Sequence, residues 1–189
     1  MAYPTLPPVE LCSDLKSSNY DAVVVVTESV ENLADVPDVQ STVKAVIDVD
    51  AKAATGVFVV PSTLPAKRIV FSGTGALDGD YDDVRGYADA AKAGIARAIQ
   101  AGARSPLLFF KVGGRYPQAG TVAMLGALAA IYVPLEMREA RAERATKVDR
   151  LGIYGTDAKT VELVRALEAG RIVSRDIGGS DPERTAAPR

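Results

Sequence analysis

RIVFSGTGALDGDYDDVRGYADAAKAGIARAIQAGARSPLLFF, residues 68–110, carries the fold. An apolar β-branched run leads into a glycine-containing turn, then an acidic stretch, a long alanine-rich segment and a second apolar run. In the middle, Val84, Tyr87, Ala88, Ala91, Ile95, Ala98 and Ile99 recur at the i, i+3, i+4, i+7 spacing of a helix with one buried face. The flanking runs RIVFSG and SPLLFF are too short and too uniformly apolar for surface helices. They read as strands covered on both sides. Strand, helix, strand in this order predicts a right-handed crossover between parallel strands.

The same alternation extends outward in both directions. VELCSD and DAVVVVTE read as two strands, and Val23 to Val26 have the continuous β-branched character of an interior one. Val39, Val43, Val46, Ile47 and Ala54 repeat at helical spacing between Pro37 and Gly56, followed by a strand GVFVVPS. On the C-terminal side come a nearly all-apolar helix, QAGTVAMLGALAAIYV, a charged surface helix, PLEMREARAERATK, and a last strand, VDRLGIYG. A final amphipathic helix is expected from Asp157 to about Ser174, capped by Thr156 or Asp157. The expected fold class is α/β: three layers, α/β/α, around a mainly parallel, mixed sheet. The final helix is expected to leave this domain.

Composition narrows the function. At 189 residues and 48% hydrophobic, the chain can bury a core of its own. Its 22 Lys and Arg against 24 Asp and Glu give a formal charge of −2, too balanced for phosphate-backbone binding, so no nucleic acid partner is expected. The longest apolar run falls short of the roughly 20 residues of a membrane span, so no membrane partner is expected. One cysteine and a start with neither a basic nor an apolar leader region fit a cytoplasmic setting. There is no histidine. That removes Ser/His and Cys/His nucleophile systems and zinc sites of the Cys/His type. No catalytic residue and no metal ligand is assigned. A self-sufficient carboxylate enzyme is the least favoured reading, since no pair of acids stands at a strand end.

Two glycine turns follow strands, where open α/β sheets place ligand loops. Ser72, Gly73, Thr74 and Gly75 form one, and Gly113, Gly114 and Arg115 the other. Facing each other, they would make a modest anion cleft of backbone N–H groups and a guanidinium. The plainer reading, two ordinary strand-to-helix turns and a solvated arginine, is preferred, because the third glycine and the downstream acid of a dinucleotide site are missing. Asp78, Asp80 and Asp82 alternate like the start of a calcium loop, but Asp83 stands where its turn glycine belongs and Asp89 where its bidentate Glu belongs. These acids are expected instead to cap and polarise the following helix. Tyr81 and Tyr87 are expected to pack at the core edge, and Cys12 to be a small buried hydrophobe.

The tail RIVSRDIGGSDPERTAAP resembles the interdomain junction of the leucyl aminopeptidase (cytosol aminopeptidase) family. Arg175, Asp176 and Ile177 match that family's Arg-Asp-Leu step, and Pro182 and Pro188 its flanking prolines. Gly178 and Gly179 replace a more usual Val-Asn, Glu183 or Arg184 stands in place of Asn, and Ala187 in place of Thr, which marks a divergent branch. Residues 68–110 also follow the order of the family's N-terminal domain. The resemblance implies a macro-like domain over residues 1–155, an interdomain helix over 156–177, and over 178–189 a linker opening a catalytic domain that this sequence does not contain. It implies a parent that removes N-terminal amino acids from peptides with two divalent metals, zinc or manganese, as a hexamer. The chain itself would be inactive alone and structural, with its own C-terminal catalytic domain as partner. The family's catalytic Lys and Arg and its metal ligands lie in that domain, so none is carried over. The alternative is a macro-like module binding a nucleotide or other anion.

Overall fold

The computed structural model describes residues 6–181. Its six strands, β1 (Val9–Leu11), β2 (Ala22–Thr27), β3 (Val57–Pro61), β4 (Arg68–Gly73), β5 (Pro106–Lys111) and β6 (Leu151–Tyr154), form one sheet in the order β1-β6-β5-β2-β4-β3. All pairings are parallel except β3 with β4, so the hairpin-like edge strand is what makes the sheet mixed. Strand β2 sits between β4 and β5 and is buried at every position, as its run of valines predicts.

Side chains alternate across a strand, so β2 feeds two cores. Val23 and Val25 point with Ile69, Phe71, Leu107 and Phe109 toward helix α1 (Pro37–Ile47), which contributes Val39 and Val43. Val24 and Val26 point with Val70, Leu108 and Ile153 to the other face, covered by α2 (Arg85–Gln100), α3 (Ala119–Ile131) and α5 (Ala158–Gly179). This is the expected three-layer α/β/α arrangement. Helix α3 is apolar nearly all round because it lies between α2, β5 and α5. The charged segment after it forms only a short helix, α4 (Leu135–Ala140), and one 3₁₀ turn.

Two expectations fail here. Helix α5 does not leave the domain: Val161, Val164 and Ile172 are buried, and the helix lies on α3 and β1. It also runs past Ser174 and through Gly178 and Gly179, so the glycine pair does not start a linker. Two consecutive glycines disfavour a helix by about 1 kcal/mol each relative to alanine, which is why the sequence reads as a break. The side-chain contacts just upstream hold the last turns. The prolines at 182 and 188, with Glu183, Arg184 and Ala187, lie outside the described residues.

Candidate functional site

Because β1, β6, β5, β2 and β4 run parallel, their carboxyl ends share one edge of the sheet. The two glycine loops therefore do come together, on either side of the end of β2 at Thr27 and Glu28. Tyr116 ties them: its hydroxyl donates to the carbonyls of Leu77 and Asp82, each at 3.2 Å.

The donors of Ser72, Gly73, Thr74 and Gly113 are already spent. The buried Ser72 hydroxyl donates to Ala90 O of α2 at 2.8 Å. Gly73 N–H donates to Gly56 O at 3.1 Å, and Thr74 N–H to Thr27 O at 3.0 Å. The Thr74 hydroxyl closes on Gly75 O at 2.8 Å. Glycine is required at 73 because a Cβ there would stand 2.0 Å from Ala54 O, and at 75 because φ is +70°. Across the cleft, Gly113 N–H donates to Glu28 Oε1 at 3.1 Å, and the Tyr87 hydroxyl donates to the same oxygen. The Glu28 carboxylate thus occupies the place an anionic ligand would take. Gly114 and Arg115 are exposed, with the Arg115 guanidinium 5.5 Å from the Tyr116 ring centre.

In the acidic stretch, Asp82 and Asp83 bond to the chain itself. Asp82 accepts from Gly79 N–H at 2.8 Å, closing a turn, and Asp83 accepts from Arg85 N–H at 2.7 Å at the start of α2. The Arg85 side chain beside Asp83 holds that carboxyl below the ordinary carboxylate range. Tyr87 is fully buried as expected, but Tyr81 is 99% exposed at the loop tip, where the four neighbouring aspartates keep the segment in water. Cys12 is half-buried, its thiol donating to Asp14 O at 3.1 Å. It lies beside an open cleft of about 470 Å³ at the ends of β1, β5 and β6, lined among others by Phe109, Lys111, Tyr154 and Thr156. Lys111 is paired there with Asp35 at 2.5 Å, which holds the Asp35 carboxyl down.

A second polar constellation, absent from the sequence reading as a contact, sits under α5. Asp176 accepts from Arg138 Nη2 with both oxygens at 2.6 Å and from the Tyr132 hydroxyl at 2.8 Å. Burial, then this bond, raises the Tyr132 pKa. Arg175 stacks 4.9 Å over the Tyr132 ring and donates to Glu168 Oε1 at 2.7 Å. Glu168 is completely buried, and its other oxygen lies 3.0 Å from Arg171 Nη1 as an ion pair without a hydrogen bond. Arg175 and Asp176, the pair on which the family resemblance rests, are therefore the centre of a clamp joining α5 to the end of α3 and to α4. The only sequence signal for it is this adjacency of opposite charges in an otherwise amphipathic helix.

Among the described residues no group of three or more His, Cys, Asp or Glu is placed to hold a metal, and no helix is long and apolar enough to cross a membrane. The two-metal pair implied by the resemblance finds no donor set among the described residues.

The fold and its crowded strand edge define a macro-like α/β domain. Solved macrodomains share it: that of Oceanobacillus iheyensis with a TM-score of 0.57 at 11% identity over 88% of this chain and 92% of its own, and that of Trypanosoma brucei in complex with ADP-ribose with 0.52 at 16% over 85% and 68%. The particular likeness is to aminopeptidases, to one in sequence and to another in fold. A tomato leucine aminopeptidase superimposes over the whole chain and 41% of its own, with a TM-score of 0.67 at 14% identity. A Caenorhabditis elegans protein, W07G4.4, named as an aminopeptidase, is 38% identical over 94% of this chain and 36% of its own length. The chain thus spans well under half of each of these two relatives. No family model matches it.

Proposed function

We propose that this chain is the non-catalytic domain of a leucyl-aminopeptidase-like metallopeptidase, with a structural role: supporting assembly of the whole enzyme or limiting access to its active site. The observation that carries this reading is the 38% identity to an aminopeptidase-named protein over nearly the entire chain but only 36% of that protein. The chemistry would belong to the remainder. By the resemblance, the parent removes N-terminal amino acids from peptides with two divalent cations, zinc or manganese, and works in the cytoplasm as a hexamer. The absence of histidine and the self-satisfied strand edge support a domain that is not itself the catalyst. Incubating the purified chain with leucine p-nitroanilide and Mn²⁺ or Zn²⁺ is expected to give no turnover. Metal-dependent release of nitroaniline would overturn the reading.

A macro-like ligand module is the second reading, favoured by the cleft at the strand ends and by the macrodomain fold. It is the weaker one because Glu28 already takes the Gly113 donor.

A further inference from the structure

The carboxyl edge of the sheet is spent only in part. Around Gly73 and Gly113 the donors are bonded within the chain. At the ends of β1, β5 and β6, the cleft of about 470 Å³ is different. Ser13, Tyr154 and Thr156 line it, and none of their hydroxyls has a hydrogen-bond partner among the described residues. Leu11 and the rings of Phe109 and Tyr154, packed edge to face at 5.3 Å, give it an apolar lining. A concavity of this size, mostly apolar with a few unspent polar groups and set at the carboxyl ends of parallel strands, suits a small ligand.

Charge selects among ligands. Lys111 Nζ and Asp35 Oδ2 stand 2.5 Å apart on the cleft wall, with 41 and 57% of their side chains exposed and so within a ligand's reach. Among the described residues lining the cleft, only these two carry a formal charge. A phosphate would meet Asp35 and find the charge of Lys111 already matched, and a plain cation would meet Lys111. A ligand carrying both charges meets neither penalty. Its carboxylate faces Lys111 and its ammonium faces Asp35, so that every charge neighbours its opposite. Because the two protein charges are in contact, the ligand's two charges must lie equally close. In an α-amino acid a single carbon joins the ammonium to the carboxylate, whereas a peptide holds its terminal charges at least a residue apart. An internal segment of a longer protein has no such head group.

We infer that this cleft binds a free α-amino acid with an apolar side chain, its head group on Lys111 and Asp35 and its side chain over Leu11, Phe109 and Tyr154. The hydroxyls of Ser13, Tyr154 and Thr156 supply further partners for the polar head. An exposed ion pair contributes little to stability, so Lys111 and Asp35 adjust to the ligand at small cost. This inference stands apart from the peptidase reading and survives or fails without it.

Titrating the 189-residue chain with L-phenylalanine, followed by amide NMR shifts, is expected to give saturable changes around the cleft with a Kd of about 1 mM. Lys111→Met and Asp35→Asn should each weaken binding at least about tenfold while the unfolding temperature is kept. N-acetyl-L-phenylalanine, which lacks the ammonium, and L-phenylalaninol, which lacks the carboxylate, should bind at least about tenfold more weakly than the amino acid. The dipeptide Phe-Gly, with its charges further apart, should do the same. No saturable change up to about 20 mM overturns the inference. So does binding indifferent to both Lys111→Met and Asp35→Asn, or N-acetyl-L-phenylalanine binding as tightly as L-phenylalanine.

Discussion

The carboxyl edge of the sheet and helix α5 invert what their positions lead one to expect. At the edge, where an open α/β sheet presents free backbone donors to a ligand, the N–H groups of Gly73, Thr74 and Gly113 and the Ser72 hydroxyl are all taken by the chain itself, Gly113 by the carboxylate of Glu28. On α5, where a peripheral helix turns a polar face to water, the outward face carries Leu163, Leu167, Val173 and Ile177, and the inward face hides a charged clamp. The difference teaches where this molecule's unsatisfied surface lies. At the edge, donors of both glycine loops are bonded within the chain, while on the helix apolar side chains face outward.

Breaking the clamp should have the largest effect. Asp176 and Arg138 side chains are 12 and 20% exposed, and Asp176→Ala leaves Arg138 and the Tyr132 hydroxyl without their acceptor. A fully buried pair broken this way costs about 3–5 kcal/mol, and the residual exposure of Arg138 reduces this to about 2–3 kcal/mol. For a domain of this size that lowers Tm by about 8 °C, measurable by thermal unfolding. A change below about 1 kcal/mol would mean that the clamp is ornamental and that α5 is held by Val161, Val164 and Ile172 alone.

The strand edge should respond less. Glu28→Gln keeps one acceptor oxygen but removes the charge that Tyr87 and Gly113 donate to, a loss of about 1 kcal/mol in denaturant unfolding. Titrating the unmodified chain with ADP-ribose at about 1 mM in a calorimeter should give no heat, since that ligand's phosphates would compete with an internal carboxylate already in place. A saturating signal would reverse the comparison, making the edge a site and Glu28 part of it.

What the sequence makes legible follows from how each feature is encoded. The sheet and its two cores are written in local periodicity: the valines of β2 and the i, i+3, i+4 series of α2 point to the faces that the structure buries. The glycine loops are legible as turns, and their meeting at one edge follows from parallel strand order. What fills them is not legible, because Glu28 lies 85 residues from Gly113 and nothing local links the two. Tyr81 misleads for a similar reason: a tyrosine near a helix start usually packs, but four aspartates around it hold the loop tip in solvent. The end of α5 is hidden because Gly178 and Gly179 carry a local breaking signal, while the contacts of Tyr132 and Arg138 that steady the helix come from about 40 residues away.

The smallest effect tests where α5 begins. Asp157 caps it, accepting from Thr160 N–H at 3.0 Å and from the Thr160 hydroxyl at 2.7 Å. These bonds favour the ionised form, the hydroxyl bond foremost, and lower the Asp157 pKa in the folded chain. A carboxyl whose pKa is lower folded than unfolded binds more protons when unfolded, so its contribution is present above the unfolded pKa and is lost as pH falls through the folded one. Asp157→Asn keeps a capping oxygen but cannot titrate. It should therefore unfold slightly more easily than the parent at pH 7, and the gap between the two should close as pH drops through the carboxylate range. A gap that stays constant with pH would show that the charge at the cap contributes nothing. The first turn of α5 would then rest, like its last, on contacts made elsewhere in the domain.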